Sequence, residues 1–214
     1  MSVATERRTT IDVDGLKLEG VVHAGGDALG AVVLHPHPLY GGDMRNHVVS
    51  GICDAVSARG GTALRFNFRG ADGSEGRYDD GRGEASDARA ALREVRALVP
   101  GAPVVMAGYS FGAMVASSIA ATEEIAGLVL ISPPVAHGSL APLPEGLPVL
   151  IVTGERDAIS PSEAVRAMES PSVRVMVVPG ADHGWWPGLD ALMSEVDGFL
   201  HELSNGSREQ RNPA

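Results

Sequence analysis

The 214-residue sequence has little cysteine, few basic residues and no long apolar run. Its single cysteine, Cys53, cannot form a disulfide within the chain or build a cysteine zinc site, so nothing in the sequence indicates an oxidising compartment. Lysine and arginine number 17 against 27 aspartate and glutamate residues, and the resulting charge of −10 repels nucleic acid and anionic membranes. Apolar runs such as residues 147–152 are too short to span a bilayer, and residues 1–10 lack the apolar segment of a secretory signal. We therefore expect a cytoplasmic protein that binds neither nucleic acid nor membrane.

Aromatic residues are scarce at 4%, whereas glycine and proline are abundant, with 27 and 14 residues. This composition favours many turns between short elements and argues against long bundle helices. The chain is long enough for one domain with a sizeable core. We expect a single domain over residues 1–203 and a flexible tail over residues 204–214. A homodimer is compatible with the sequence.

The hydrophobic pattern changes along the chain. Alternating residues flank Asp14-Gly15 and predict an antiparallel hairpin, with strands at residues 9–13 and 16–22. Continuous apolar runs, typical of buried parallel strands, follow at residues 31–34, 62–66, 104–107, 127–131, 149–152 and 173–177. Helical spacing occurs at residues 45–58, 87–99, 113–121 and 189–203, and a further helix begins near Ser160-Pro161. This alternation predicts an α/β fold, a mostly parallel sheet of about eight strands with helices on both faces.

The sequence Gly108-Tyr109-Ser110-Phe111-Gly112 lies between a predicted strand and a predicted helix. This G-x-S-x-G pattern in that context predicts a nucleophile elbow, a sharp turn that exposes the serine hydroxyl. A Cβ atom at either outer glycine would crowd the neighbouring strand or helix. The amide of Phe111, at the start of the helix, is a candidate donor to an oxyanion.

A serine nucleophile needs a base, and the base needs an orienting partner. Asp157 and His183 each follow a predicted strand, and the order Ser110, Asp157, His183 accompanies the nucleophile elbow on this type of sheet. We expect His183 to move the proton and Asp157 to orient the imidazole. Rival carboxylates lie at Glu155, Asp182 and Asp190, of which Asp182 is interpreted as a turn residue.

The loop that follows residues 31–34 contains two histidines and two prolines in the order His35-Pro36-His37-Pro38. A second oxyanion donor normally comes from this loop, and because proline has no N–H the candidates are His37, Leu39 and Tyr40. An alternative interpretation makes His35 and His37 metal ligands, with Asp157 or His183 completing the site. For His35, a structural interpretation as a packed imidazole that bonds to loop backbone is favoured over any catalytic or metal-binding role.

The chain resembles alpha/beta hydrolases, and more narrowly the small bacterial members without a cap that are related to dienelactone hydrolases. The resemblance covers residues 8–203 and depends on the motifs HPHPLYGGDMRNHVV, RFNFRGADGSEG, GYSFG, LISPPV, GERD and PGADH. It implies a triad of Ser110, Asp157 and His183, with oxyanion amides from Phe111 and Leu39. The chain departs from dienelactone hydrolases proper, which have cysteine where Ser110 stands.

Many relatives insert a helical cap at the position of residues 132–148, but this segment is too short and too rich in proline for one. We therefore expect an open site. Its expected border consists of Leu39, Tyr40, Phe111, Met114, Pro133, Pro134, Val135, Trp185 and Trp186, of which Tyr40, Met114, Pro134, Trp185 and Trp186 are the predicted substrate-binding residues. The two tryptophans can instead anchor the last helix.

These features predict a serine hydrolase that needs no cofactor and cleaves a small carboxylic ester or thioester through an acyl-enzyme. The alternatives are a metal-dependent hydrolase that uses His35 and His37, and a binding protein that kept the fold without catalysis. Within serine chemistry, the sequence leaves peptidase, lactonase and acyltransferase activities open, because fold alone does not determine function.

Overall fold

The computed structural model describes residues 5–138 and 140–211, with only the backbone described for residues 206–211. The strands are β1 (Thr5–Val13), β2 (Leu16–Ala24), β3 (Gly30–Leu34), β4 (Thr62–Phe66), β5 (Val104–Tyr109), β6 (Gly127–Ile131), β7 (Val149–Gly154) and β8 (Val173–Val178). The helices are α1 (His47–Ala58), α2 (Arg82–Leu98), α3 (Phe111–Ala120), α4 (Ser162–Arg166) and α5 (Leu189–Arg211), with a short 3-10 helix at Pro38–Tyr40. None of the described helices is both long and apolar enough to cross a membrane.

The strands form one eight-stranded sheet in the order β1-β2-β4-β3-β5-β6-β7-β8. Strands β3 to β8 are parallel to one another, and the β1–β2 hairpin adds antiparallel to β4. The hairpin pairs Val13 with Leu16 around Asp14-Gly15, and both turn residues have positive φ, as a two-residue primed turn requires. The predicted α/β fold is confirmed.

Helices cover both faces of the sheet, and this explains the continuous apolar runs. Along β5, Val104 and Met106 pack into the core beneath α2 and α3, whereas Val105 and Ala107 pack into the core beneath α1 and α5. Every residue of β5 is therefore buried, and the same is true of β3, β4, β6 and β7. Cys53 belongs to the core on the α1 side.

Two helix boundaries differ from the predictions. Helix α2 begins at Arg82 rather than at residue 87, because Glu84 accepts hydrogen bonds from the amides of Gly81 and Asp79, both at 2.8 Å, and caps the first turn. Helix α5 continues to Arg211, beyond residue 203 where the predicted helical spacing ends. No proline occurs between residues 204 and 212 to interrupt the backbone hydrogen bonds of the helix. The division into a domain over residues 1–203 and a flexible tail over residues 204–214 stays a prediction. Residues 212–214 lie outside the described part.

The connection between β6 and β7 contains no helix or strand within its described residues, 132–138 and 140–148. The carboxyl ends of the parallel strands all meet at one edge of the sheet, which this short connection leaves without a cap domain. The loops after β3, β4, β5, β7 and β8 therefore lie together at an uncovered edge, where ligands bind in open α/β sheets.

His35, directly after β3, joins two of these loops. The side chain is fully buried, Nδ1–H donates to the carbonyl of Pro36 at 2.6 Å, and Nε2 accepts from the amide of Phe68 at 3.0 Å. The structural interpretation of His35 is confirmed. Burial lowers the pKa of His35 from 6.5 to about 4, because the buried imidazole loses the hydration that stabilises its charged form.

We expect the free energy of unfolding to decrease as the pH falls from 6.5 toward 4, because in this window the unfolded chain binds a proton that folded His35 does not. The pKa difference corresponds to about 3 kcal/mol for His35. Buried His23, whose pKa is also lowered by burial, acts in the same direction. Urea unfolding at several pH values gives the unfolding free energy of the native chain and of His35→Asn as a function of pH. The His35 contribution is the difference between the two proteins in how steeply this free energy falls from pH 6.5 to pH 4. An equal pH dependence in the two proteins would contradict the prediction.

Candidate active site

Ser110 occupies the turn between β5 and α3 in a strained conformation, with φ of 54° and ψ of −115°. Its amide donates to the carbonyl of Ile131 at 2.8 Å, which fixes the turn against β6. A Cβ atom on Gly108 would overlap the backbone of Gly112, and one on Gly112 would overlap the backbone of Leu34. The expected reason for both glycines is confirmed, because only their close approach allows this turn.

Three polar side chains meet at the carboxyl edge of the sheet. His183 Nε2 lies 3.0 Å from Ser110 Oγ, and His183 Nδ1 lies 3.0 and 2.9 Å from the two carboxylate oxygens of Asp157. Asp157 comes from the loop after β7 and His183 from the loop after β8. The structure thus brings together, in one row of side chains within hydrogen-bonding distance, the three residues that the sequence placed in one triad.

The Asp157 carboxylate is buried and well supplied with donors. Burial raises its pKa, but hydrogen bonds from His183, the Ser132 hydroxyl and the Ser160 amide outweigh burial and lower the pKa below its ordinary value. The amides of Ile159 and Ser160 donate to Oδ1 at 2.9 and 2.8 Å. Asp157 therefore carries a negative charge opposite His183 at neutral pH.

The rival carboxylates have other positions. Glu155 accepts a hydrogen bond from the Gly180 amide at 2.8 Å, which ties the loop after β7 to the loop after β8. Asp182 accepts from the Gly184 amide at 3.0 Å, which confirms it as a turn residue. Asp190 is exposed in the first turn of α5.

Tyr109, the residue before the serine, also contacts the loop that carries the histidine. Its buried hydroxyl donates to the backbone carbonyl of His183. Burial raises the pKa of Tyr109, so the hydroxyl stays protonated and remains a donor. No role for Tyr109 was predicted from the sequence, because the x positions of G-x-S-x-G can hold any residue and carry no signal of their own.

The two tryptophans do not line a substrate cavity, and the prediction that they do is wrong. Trp185 is fully buried, has a φ of 59°, and donates from Nε1 to Ser132 Oγ at 3.0 Å. It packs in the same core cluster as Leu192 of α5, as the alternative interpretation had it. Trp186 is 80% exposed and stacks on His47, with ring centroids 4.3 Å apart, outside the cavity beside Ser110.

A cavity of about 580 Å³ opens beside Ser110. The residues that line it are His37, Tyr40, Tyr78, Ser110, Phe111, Met114, Pro134, His137, Gly138 and Ile159. The predicted residues Tyr40, Met114 and Pro134 are among them. Tyr78, His137 and Ile159 were missed, although each lies in a loop after a parallel strand, which is the signal that would have found them.

The loop after β3 favours a different oxyanion donor from the one expected first. The Leu39 amide donates to His37 Nδ1 at 3.3 Å, the Tyr40 amide donates to the His37 carbonyl at 3.1 Å, and Leu39 is 66% exposed. The amides of His37 and Phe111 have no acceptor among the described residues, and both residues line the cavity. His37 was predicted as a donor behind Leu39, and the identity of the second oxyanion donor stays a prediction.

The arrangement does not suit the alternative metal site. Both ring nitrogens of His35 are used within the protein, so His35 has no lone pair to give a metal ion. Among the described residues, no three His, Cys, Asp or Glu side chains cluster as metal ligands.

A larger depression, of about 1010 Å³, lies at the opposite edge of the sheet near Val149 and Val173. Its described lining contains serines and glutamates but no histidine, so it offers no counterpart of the row formed by Ser110, His183 and Asp157. The smaller cavity beside Ser110 is therefore the candidate site.

Residues 30–197 match the family model described as an alpha/beta hydrolase domain, which is more than half of the chain. The chain belongs to the alpha/beta hydrolase family. An uncharacterised protein of Rickettsia prowazekii is 33% identical over 198 residues, covering 85% of this alpha/beta hydrolase and 82% of the relative. The narrower relationship to dienelactone hydrolases stays a prediction.

Solved structures extend the comparison. An alpha-beta serine hydrolase homologue from Coxiella burnetii is 33% identical, with a TM-score of 0.84 and coverage of 94% of this chain and 100% of that one. A serine hydrolase without a lid from Xanthomonas campestris is 29% identical, with a TM-score of 0.85 and coverage of 92% and 94%. The prediction of an alpha/beta hydrolase fold without a cap is confirmed.

The contacts of Ser132 yield a prediction about stability. Ser132 accepts from Trp185 and donates to Asp157. Ser132→Ala therefore leaves the buried indole N–H of Trp185 without an acceptor, and Trp185→Phe leaves Ser132 Oγ without this donor. We expect Ser132→Ala and Trp185→Phe each to cost about 1 to 3 kcal/mol of unfolding free energy. The double variant should cost less than the sum by about 1 kcal/mol, because the bond is lost only once. Urea unfolding of the four proteins measures this coupling, and strictly additive costs would contradict it.

Proposed function

We propose that this alpha/beta hydrolase cleaves small carboxylic esters or thioesters through an acyl-enzyme on Ser110. The observation that supports the proposal is the row Ser110, His183 and Asp157, with heavy-atom distances of 2.9 to 3.0 Å, beside a cavity. These distances match those that acyl transfer needs between a nucleophile, a base and an orienting carboxylate, which supports these roles for the three residues. The chemistry requires no cofactor.

In the first step, Ser110 Oγ attacks the carbonyl carbon of the substrate while its proton moves to His183 Nε2. The imidazolium forms 2.9 Å from the buried Asp157 carboxylate, whose charge stabilises it. The donors to Asp157 fix the carboxylate, so little reorganisation accompanies the proton transfer.

In the second step, the tetrahedral intermediate collapses and the bond to the leaving oxygen or sulfur breaks. The proton on His183 Nε2 goes to the leaving group, which departs as alcohol or thiol. A water molecule then gives a proton to His183 and attacks the carbonyl carbon of the acyl-enzyme. The second tetrahedral intermediate collapses, His183 returns the proton to Ser110 Oγ, and the acid is released. One water is consumed for each bond that is cleaved.

The negative oxygen of the intermediate needs two donors. We assign them to the amides of Phe111 and His37, since both lack acceptors within the described protein and both line the cavity. The Phe111 amide lies at the first turn of α3, where the helix dipole adds to the attraction. Because Leu39 already donates to the His37 ring, it is the weaker candidate.

Loss of the nucleophile tests the proposal directly. We expect Ser110→Ala to lower kcat for a 4-nitrophenyl ester by about 10⁴-fold or more and to abolish labelling by a fluorophosphonate. Ser118→Ala is the matched control, because Ser118 is exposed on the same helix and should retain both activity and labelling. A native chain that is neither labelled nor active would instead support a binding protein without catalysis.

The second oxyanion donor can be tested by removing one N–H. His37 has a φ of −58°, which proline adopts without strain, so His37→Pro removes the amide donor with little change of backbone. His37→Ala is the control, because it removes the same ring and keeps the amide. We expect His37→Pro to have a kcat roughly 10² to 10³-fold below that of His37→Ala. Equal rates for the two variants would assign the donor elsewhere in the loop.

A further inference from the structure

The described lining of the cavity beside Ser110 contains no lysine, arginine, aspartate or glutamate. His37 lies inside the cavity, and burial lowers its pKa despite the opposing charges of Glu84 and Asp80, so it is neutral. The other lining histidine, His137, is exposed. An ionised group that entered the space around His37 would lose hydration without meeting a lysine or arginine partner in the lining.

One side of the cavity is a cluster of rings centred on His37. The ring centroid of His37 lies 4.8 Å from that of Tyr40, 4.8 Å from that of Tyr78 and 4.9 Å from that of Phe111, all at tilted angles. Tyr78 and Phe111 also contact each other, at 5.6 Å. Tyr40 is 87% exposed, so its side chain is accessible to a ligand. Rings at such distances and angles interact favourably with a further aromatic group.

Three further lining residues, Met114, Pro134 and Ile159, have aliphatic side chains. A flat group in the cavity would therefore find both rings and alkyl carbons to contact. The volume of about 580 Å³ is in the usual range for sites that enclose a small organic ligand.

Two acidic side chains, Glu84 and Asp80, lie close enough to His37 for their charges to act on its ring. Fully buried Glu84 holds the backbone next to Tyr78 by accepting from Asp79 and Gly81. An anionic acyl group beside His37 would therefore meet repulsion from Glu84 and Asp80.

We propose that the cavity beside Ser110 is an acyl subsite that selects esters whose acyl group carries an aryl ring and no charge, such as arylalkanoates. It rejects acyl groups that carry a second carboxylate. This selectivity rests on the proposed function, because it concerns the acyl group that Ser110 receives. The reaction consumes the ester and one water and releases the arylalkanoic acid and the alcohol.

Three 4-nitrophenyl esters separate the contributions of ring and charge. The hexanoate and the hydrogen adipate have acyl chains of equal carbon number and differ by a terminal carboxylate, and the 3-phenylpropanoate adds a ring. We expect kcat/KM for the hexanoate to exceed that for the adipate by about 100-fold or more. The 3-phenylpropanoate should exceed the hexanoate by about tenfold.

Substitutions in the cavity wall test the same idea on the protein. Tyr78→Leu should reduce the preference for the 3-phenylpropanoate over the hexanoate to about one, whereas Tyr78→Phe, which keeps the ring, should retain it. Met114→Lys should raise kcat/KM for the adipate by about tenfold or more and lower it for the hexanoate, because the new cation supplies the missing partner.

The outcomes distinguish this inference from the function on which it rests. Equal kcat/KM values for the three esters, or a preference for the adipate, would overturn the selectivity while Ser110-dependent hydrolysis stood. Fluorophosphonate labelling of Ser110 without hydrolysis of any of the three esters would overturn it as well. Absence of both labelling and hydrolysis would overturn the proposed function, and the selectivity with it.

Discussion

The close approach of the backbone of α3 to β3 and β5 is the constraint on which the site depends. Because neither Gly108 nor Gly112 has a Cβ atom, the chain reverses within one residue and Ser110 adopts a positive φ at the carboxyl edge of the sheet. That turn brings the hydroxyl within 3.0 Å of His183 and starts α3 with a free amide at Phe111. The loops after the other parallel strands then supply the remaining groups at the same edge.

Much of this arrangement could be predicted because it follows from local rules. Continuous apolar runs identify strands buried on two faces, and the glycines around Ser110 have a steric reason that can be read without coordinates. The positions of Asp157 and His183 followed from the ends of their strands. The three residues are far apart in the sequence, but parallel strands bring the loops at their carboxyl ends together at one edge of the sheet.

The differences between prediction and structure concern features that local sequence patterns do not determine. Trp185 and Trp186 are adjacent and chemically identical, and only the positive φ of Trp185 directs one ring into the core while the other stays exposed. The Leu39 amide differs from the His37 amide through its hydrogen bond to the His37 ring, which composition does not reveal, and the oxyanion donor itself stays a prediction. Helix α5 continues to Arg211, beyond residue 203 where the helical spacing ends, because hydrophobic periodicity does not determine where a helix stops.

The hydrogen bond from Tyr109 to the carbonyl of His183 has a consequence for the second half of the proposed cycle. Once Ser110 is acylated, its oxygen no longer holds a proton for the imidazole, and the histidine loses its link to the nucleophile. Tyr109 and Asp157 contact His183 at atoms that take no part in bond making, so in the proposed cycle both contacts can persist while the acyl group is attached. They would then hold the imidazole beside the acyl-enzyme, in position for the incoming water.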